Sequence, residues 1–205
     1  ISKLDAGLMS DNQLNLIKML YKNSDAAGYA YNKIEILPTG ESTFDAVFNA
    51  IRNAKEHIHI EFFIFDDDKI SNQLREILIQ KAQEGVRVRM IYDYWGSFDL
   101  SKRYLKSLRD AGVYVRSFLP FRFRFQFSSS RINYRNHRKL VIVDGKIGFT
   151  GGLNIADRYI YGNTLGKWRD TFVSFEGAAV HGLQLLFLVD WYFVDRKLIT
   201  DEKYF

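Results

Sequence analysis

The sequence contains no cysteine, and it has no apolar run of about 18 or more residues. Without cysteine, neither a disulfide framework nor a thiolate metal site can form. Without a long apolar run, the chain as printed is expected not to span a membrane, and its first residues, ISKLDAGLMSDNQ, lack the apolar core of a signal peptide. Since the chain starts at Ile1 and not at a methionine, we expect any membrane-spanning segment to lie outside it.

Composition predicts one domain with an anionic partner. The 205 residues are 47% hydrophobic, which is enough for one substantial core without requiring a second. Lys and Arg number 29 against 24 Asp and Glu, so the formal net charge is +5. This mild excess favours anionic partners, either phospholipid surfaces or nucleic acid, although a soluble protein with a basic pI would carry the same charge.

Apolar periodicity predicts alternating strands and helices. Strands are expected over residues 33–37, 57–65, 86–92, 113–118, 140–143 and 170–175, and helices over 10–21, 42–54, 71–84, 101–111 and 178–194. Ser42 followed by Asp45 predicts a capping box that opens the second helix. Three successive strand–helix alternations favour right-handed crossovers, and therefore a largely parallel sheet covered on both sides.

The strand over residues 57–65 places three polar side chains on one face. His57, His59 and Glu61 alternate along it. Two histidines at positions i and i+2 could bind a metal, but with no carboxylate pair or cysteine nearby we do not predict a metal site here. Glu61 has apolar neighbours, so its carboxyl is either paired in the core or directed into a cleft.

The segment NHRKLVIVDGKIGFTGGLN, residues 136–154, carries the strongest functional pattern. His137 and Lys139 lie two residues apart on the strand that leads into the Asp144-Gly145 turn. Side chains two apart share one face of a strand, so an imidazole and an ammonium are expected side by side. Asp144 has an odd offset from His137 and is expected to support the turn or an ion pair.

Two glycines and an asparagine follow this turn. Gly151 and Gly152 would let the backbone approach a ligand, and Asn154 adds a neutral amide. Combined with a nucleophilic imidazole and a fixed cation, these groups suit a phosphodiester, and none of them is a typical ligand for a hard cation. The segment therefore predicts phosphodiester chemistry without a metal.

The stretch FRFRFQF, residues 121–127, alternates aromatic and polar residues. It predicts a strand with one buried face or a packed loop or, alternatively, a segment that enters a membrane interface. In the membrane hypothesis the contacting residues are Phe121, Arg122, Phe123, Arg124 and Phe125. Arg135, close upstream of the histidine, could hold a phosphate or be solvated.

The spacing of His137, Lys139, Asp144, the two glycines and Asn154 resembles the signature of the phospholipase D superfamily. Beyond this motif, residues 32–193 resemble the first catalytic half of bacterial cardiolipin synthases. The stretches that carry the similarity are HIHIEFFIF, RINYRNHRK, GFTGGLNIADRY, WRDT and FLVDWYF. The second copy of the motif and the membrane-spanning segments usual in that family are not found in this chain.

The resemblance implies an α/β/α sandwich, in which a mixed, largely parallel sheet is flanked by helices on both faces. It divides the chain into an N-terminal helix and lead-in (1–31), a catalytic half-domain (32–195) and a tail toward a second half (196–205). No metal or other cofactor is expected.

The resemblance also implies roles for individual residues. His137 attacks phosphorus to form a phosphohistidine, while Lys139 and Asn154 stabilise the equatorial oxygens. Asp170 matches the carboxylate that orients the nucleophile, much as the aspartate does in a serine hydrolase triad. The predicted catalytic residues are His137, Lys139, Asp144, Asn154 and Asp170, and the predicted substrate contacts are Gly151, Gly152, Arg135 and Glu61.

The leading hypothesis is a phosphatidyltransferase that joins two phosphatidylglycerol molecules into cardiolipin and releases glycerol. It is expected as a peripheral domain at the bacterial cytoplasmic membrane, with anionic phospholipid, the membrane surface and a second phospholipase D-like half as partners. Departing glycerol needs a proton, and His57, His59 and His181 lie in no suitable motif. A second histidine is therefore expected from the rest of a longer chain or from a two-fold related copy.

Two alternatives remain open. A homodimeric phosphodiesterase of the same superfamily could act on nucleic acid, which also fits the basic charge. A catalytically incomplete domain that binds anionic lipid is the other alternative, and it is less favoured because every position of the motif is filled.

Overall fold

A central seven-stranded sheet organises the chain. The computed structural model describes residues 10–24, 28–119, 135–201 and 204. The strands are β1 (Lys33–Leu37), β2 (His57–Phe62), β3 (Arg87–Asp93), β4 (Tyr114–Phe118), β5 (Lys139–Val143), β6 (Ile147–Gly151) and β7 (Phe172–Glu176). The helices are α1 (Asp11–Ser24), α2 (Gly40–Arg52), α3 (Lys69–Gln83), α4 (Lys102–Asp110) and α5 (Ala179–Asp195). Every helix and strand expected from the sequence is present, with ends displaced by a few residues.

The sheet is mixed, as predicted, but the expectation that it is largely parallel is wrong. Its strand order is β1-β7-β6-β5-β2-β3-β4. Only β2–β3 and β3–β4 pair in parallel, and the other four pairs are antiparallel. Helix crossovers connect β2, β3 and β4, whereas β5 and β6 are joined by a tight turn that only antiparallel strands can use. Asp144 and Gly145 have φ of +54° and +64° there, as a type I′ hairpin turn requires.

Helices cover both faces of the sheet, which confirms the α/β/α sandwich. On one face α2, α3 and α4 pack over the alternate β2 side chains Ile58, Ile60 and Phe62. On the other face α5 packs over Leu140 and Ile142 of β5. No helix within the described ranges is long and apolar enough to cross a membrane.

Helix α2 begins one turn earlier than predicted. The capping box is present, but its N-cap is Thr39, whose side chain accepts the Ser42 N–H at 3.1 Å. Ser42 is therefore the third residue of the helix, and its side-chain oxygen accepts a hydrogen bond from the Thr39 N–H. At Gly40 an added Cβ would lie 2.3 Å from the Tyr159 carbonyl oxygen, so glycine is the residue that lets α2 start here.

Part of the C-terminal tail belongs to the core of this domain. Tyr204 is 1% exposed, and its hydroxyl accepts hydrogen bonds from Arg87 and Arg89 at the start of β3. Its ring packs edge-on against His57, 4.7 Å between ring centroids. The sequence pattern did not predict this anchor, because a single aromatic residue in an unpatterned tail carries no periodic signal.

Most of the predicted functional residues lie along one edge of the sheet, by which we mean the line formed by the ends of its strands. The carboxyl ends of β2, β3 and β6 meet there with the amino ends of β5 and β7, since Phe62 pairs with Lys139 and Gly151 pairs with Phe172. Open α/β sheets bind ligands at such an edge. The opposite edge carries the β5–β6 turn at Asp144.

Candidate active site

His137 and Lys139 form the centre of the candidate site. Lys139 is the first residue of β5, and its Nζ lies 3.1 Å from His137 Nδ1 and donates to the His137 carbonyl at 2.7 Å. The Phe63 ring stacks on the imidazole with 4.0 Å between centroids. His137 is exposed and Lys139 is buried. The structure thus places the imidazole and the ammonium side by side, as the two-residue spacing predicted.

The surroundings favour an uncharged imidazole. Partial burial and the Lys139 ammonium lower the pKa of His137 below its ordinary value of 6.5, and Asp93 opposes them only in part. Burial also lowers the pKa of Lys139, against the attraction of Asp170. A nucleophilic histidine must be neutral to attack, so its neighbours favour the reactive form at neutral pH.

This arrangement predicts an NMR titration. The ring of His137 should titrate with a midpoint below 6.5, and Lys139→Met should raise that midpoint because it removes a neighbouring positive charge. Carbon–proton spectra of ring-labelled histidine, with His137→Ala for assignment, would measure both values. A His137 midpoint at or above 6.5 in the unsubstituted chain would contradict the electrostatic account.

Asn154 lies at the same edge and ties two segments together. Its Oδ1 accepts the Ile64 N–H at 3.1 Å, and its Nδ2 donates to the Tyr159 hydroxyl at 3.2 Å. The side chain is buried, so these bonds fix the amide in place. Any contact that Asn154 makes with a phosphate would use the second hydrogen of Nδ2.

The two glycines are needed by the protein itself. An added Cβ on Gly151 would lie 2.3 Å from the Thr171 carbonyl oxygen, and one on Gly152 would lie 2.0 Å from Asp170 Oδ1. The residues just before β7 thus fill the space that a side chain would need, and the approach of this backbone to a ligand stays a prediction. Because Gly152 has no side chain, Asp170 can approach the site, where its charge opposes the lowering of the Lys139 pKa by burial. Within the described residues Asp170 makes no hydrogen bond to His137; its Oδ1 accepts the Thr171 N–H.

Asp144 lies at the opposite edge of the sheet, so its assignment as a catalytic residue is wrong. Its carboxylate accepts the backbone N–H groups of Lys55, Glu56 and His57 at 2.8, 2.8 and 2.9 Å. Burial would raise its pKa, but these bonds hold the pKa below the ordinary 3.8. The predicted role in supporting the turn is confirmed by these contacts.

Asp144→Ala should therefore reduce stability. Three backbone N–H groups lose a charged acceptor, and alanine must adopt a positive φ, so the free energy of unfolding should fall by about 2–4 kcal/mol. Asp144→Asn is the matched control, because asparagine tolerates this φ and keeps one acceptor oxygen. Since the folded-state pKa is depressed, the stability advantage of aspartate over asparagine should be full above pH 3.8 and disappear as the pH falls through the folded pKa. Equal melting temperatures for Asp144→Ala and the unsubstituted chain would contradict this role.

Glu61 does not reach the cleft, so the predicted substrate contact is wrong. It is 1% exposed, and its Oε1 accepts a hydrogen bond from Asn136 Nδ2. The same amide donates to Asp190 of α5 at 3.2 Å. Burial, followed by the Asp190 carboxylate, raises the pKa of Glu61 well above its ordinary value. Of the two outcomes left open by the sequence, the core pairing is the one found.

Arg135 lines the same cleft as His137. Its guanidinium is 5.5 Å from the centre of the Trp95 ring. Together with His137 it lines a cleft whose remaining walls are Phe118, Asn136, Arg138, Val189, Asp190 and Phe193. A cation at this position fits the predicted phosphate contact. The predicted membrane contacts at 121–125 lie outside the described residues.

The other histidines lie away from His137. His57 and His59 are buried under α5, and burial lowers the pKa of each. His59 is held by Gln184 on one ring nitrogen and by Arg89 on the other. His181 is exposed in the first turn of α5. In the parts of the chain that the structure describes, no three His, Cys, Asp or Glu side chains form a group that could hold a metal ion.

Residues 47–164 match the family model for "Cardiolipin synthase, PLD-like domain". The chain belongs to this family. It is 48% identical over 169 residues to cardiolipin synthase 2 of Bacillus cereus, covering 82% of this chain and 32% of that protein. It is 43% identical over 182 residues to the major cardiolipin synthase of Bacillus subtilis, covering 88% and 37%. The chain thus spans about a third of the length of these relatives.

Solved structures share the phospholipase D-like fold of this cardiolipin synthase domain. The phospholipase D family member Nuc of Salmonella typhimurium aligns with a TM-score of 0.60 at 17% identity, over 80% of this chain and 97% of Nuc. Phosphatidylserine synthase of Haemophilus influenzae aligns with a TM-score of 0.63 at 16% identity, over 85% of this chain and 40% of that one. These likenesses establish the fold.

Three residues near His137 were not among the predicted site residues. Asn136, Asp190 and Phe63 surround His137 or its neighbours in the structure. Asn136 precedes the nucleophile, and Asp190 lies in the stretch FLVDWYF, so both fall inside stretches that carried the resemblance. A polar residue in a long apolar helix was the available signal for Asp190, because burial of an unpaired carboxylate is costly.

Proposed function

We propose that this chain is one catalytic half of a phosphatidyltransferase that converts two phosphatidylglycerol molecules into cardiolipin and glycerol. The observation that supports it best is the His137–Lys139 pair, a neutral imidazole beside a cation at the ligand-binding edge of the sheet. The two Bacillus relatives described above are cardiolipin synthases, which points to the same activity.

The proposed reaction has two steps at phosphorus. In the first, a nitrogen of His137 bonds to phosphorus, the bond from phosphorus to the oxygen of the glycerol headgroup breaks, and glycerol leaves with a proton from an acid. In the second, the hydroxyl oxygen of another phosphatidylglycerol bonds to phosphorus and the nitrogen–phosphorus bond breaks. The proton of that hydroxyl passes to the group that acted as the acid in the first step. The histidine is regenerated, and no electrons are exchanged with a cofactor.

During the first step, Asp170 replaces Lys139 as the hydrogen-bond partner of the His137 ring. In the observed contact the ammonium donates to Nδ1 of His137, which leaves the ring proton on Nε2. Attack through Nε2 needs that proton on Nδ1 instead. A bound phosphate draws Lys139 to its equatorial oxygens, where Asn154 also donates, and this frees Nδ1. The exposed ring then changes tautomer by losing the Nε2 proton to water and gaining one on Nδ1, whose N–H Asp170 accepts.

The acid comes from a second half. Of the other histidines, two are buried under α5 and the third is exposed in its first turn, away from the edge where His137 lies. A second phospholipase D-like half, in the same longer chain or in a two-fold related copy, would supply the missing histidine across a shared cleft. The domain works at the bacterial cytoplasmic membrane as a peripheral unit, with residues 121–125 as its membrane contact.

Substrate choice separates this proposal from its rivals. The full-length protein should form cardiolipin from phosphatidylglycerol vesicles in excess chelator, because Lys139 and Asn154 take the place of a metal ion, and it should not cleave DNA. DNA cleavage by a dimer would favour the phosphodiesterase, and vesicle binding without turnover would favour a lipid-binding domain. His137→Ala is the control for each activity. Activity lost to chelator and restored by Mg²⁺ would contradict the metal-independent mechanism.

A further inference from the structure

The side chain of Asn136, the residue before the nucleophile, is fully engaged in hydrogen bonds. One N–H of its amide donates to Glu61 and the other to Asp190 at 3.2 Å. Its Oδ1 accepts the backbone N–H of Arg138 at 3.0 Å, and its own backbone N–H donates to Asp93 at 3.4 Å. Both chain neighbours of His137 are therefore tied to this amide.

Two carboxyl groups share this one buried amide. Glu61 comes from the centre of the sheet and Asp190 from α5, and both are buried. Two carboxylates this close cannot both be charged unless cations neutralise them, and Arg138, which donates to Asp190, supplies one positive charge. The neutral arrangement has Asp190 ionised beside Arg138 and a proton on Glu61.

We propose that the buried Glu61–Asp190 pair positions the nucleophile by clamping Asn136, with Glu61 as the protonated partner. The clamp itself follows from the geometry alone. Its effect on catalysis rests on the proposed function. Glu61 and Asp190 are positioning residues, because they act on His137 through Asn136. The clamp explains why the chain would keep two acidic residues in its core, where a buried charged side chain normally costs stability.

The surroundings of Glu61 support a proton on its carboxyl. Asp190 faces it from α5, and Arg138 faces it from the segment before β5. Arg116, in the same row of the sheet on β4, is paired with Asp195 at 2.5 Å. His59, two residues earlier on β2, is kept uncharged by burial. Burial is the largest of these effects on Glu61, and it raises the pKa of that carboxyl well above 4.5.

The first test compares variants of the two acids in this chain. Glutamine at position 61 can accept from Asn136 with its oxygen and is uncharged, as a protonated glutamate is, so Glu61→Gln should keep the transfer rate within about two-fold. Glu61→Leu and Asp190→Leu each remove an acceptor of the Asn136 amide and should slow the transfer about 10- to 100-fold, without changing the substrate concentration for half-maximal rate.

The rate is measured as the burst of nitrophenolate from bis-nitrophenyl phosphate, whose leaving group departs without an acid. The matched control is Gln184→Leu, which removes a buried polar side chain of α5 that contacts His59 instead of Asn136. It should lower the melting temperature but leave the burst rate unchanged. A full burst rate in Glu61→Leu or Asp190→Leu, or an equal loss in Gln184→Leu, would overturn the positioning role.

The second test needs no catalysis. Unfolded Glu61 loses its proton above about pH 4.5, whereas the folded carboxyl keeps it to higher pH, so glutamate loses stability relative to glutamine as pH rises. The melting temperature of Glu61→Gln minus that of the unsubstituted chain should therefore grow steadily above pH 4.5. A difference that is constant or falls with pH would overturn the protonated pair. An unsubstituted chain that shows this pH dependence but no burst would contradict the proposed function and leave the clamp standing.

Discussion

Replacing His137 with alanine should lower phosphoryl transfer by a factor of about 10⁴ or more, because the attacking atom itself is removed. The fold should remain intact, since the imidazole is exposed and its contacts are the stacked Phe63 ring and the Lys139 ammonium. The measurement is the burst of nitrophenolate together with the melting temperature of the same preparation.

The matched control for this change is His181→Ala, a histidine that is also exposed but lies in the first turn of α5. It should leave both the burst and the melting temperature unchanged. A burst that survives in His137→Ala would mean that another group attacks phosphorus, and loss of the fold would mean that the histidine is part of the scaffold.

The isolated chain should turn over phosphatidylglycerol at least about 100-fold more slowly than the full-length protein, because the acid that protonates glycerol is proposed to come from a second half. It should still release nitrophenolate in a burst, since that leaving group needs no proton. The contrast between the two leaving groups separates a missing acid from a missing nucleophile, which a single activity assay cannot do.

Oligomeric state decides how this result is interpreted. The assay is repeated at concentrations where light scattering shows the chain to be monomeric. If the monomer turns over phosphatidylglycerol at the rate of the full-length protein, the half-site account is wrong, and a group within this chain must be the acid. If turnover rises with the square of concentration, a two-fold related copy supplies the second histidine.

The central pair of the site could be predicted because it depends on local geometry. Side chains two apart on a strand share a face, so the placement of His137 beside Lys139 followed from their spacing and from the Asp144-Gly145 turn that fixes the strand. The helices and strands followed from apolar periodicity for the same reason. Each of these signals lies within a few neighbouring residues.

Sheet direction could not be predicted in the same way. The pattern of alternating strands and helices correctly indicated parallel pairing for β2, β3 and β4. Strands β1 and β7 join the sheet through pairs that are far apart in the sequence, and β1 pairs with the last strand. Their direction depends on how the chain returns to the sheet, which periodicity does not record.

The roles of the glycines and of Glu61 depended on tertiary contacts. Gly151 and Gly152 matched the expected pattern, but the groups that require them are the backbone of Thr171 and the carboxylate of Asp170. Glu61 was recognised as a buried acid, yet its partners come from elements that are distant in sequence. Spacing placed His137 and Lys139 together but also included Asp144, which lies at the opposite edge, so the contacts are needed to show what each residue does.

The central claim is that His137 becomes covalently bound to phosphorus. The most direct measurement incubates the chain with bis-nitrophenyl phosphate in excess chelator and locates the adduct by mass spectrometry under mildly alkaline conditions, where a phosphohistidine survives. We expect one nitrophenyl phosphoryl group per chain, on the peptide that contains His137, and none in His137→Ala. An adduct on any other residue, or a nitrophenolate burst without an adduct, would contradict the account.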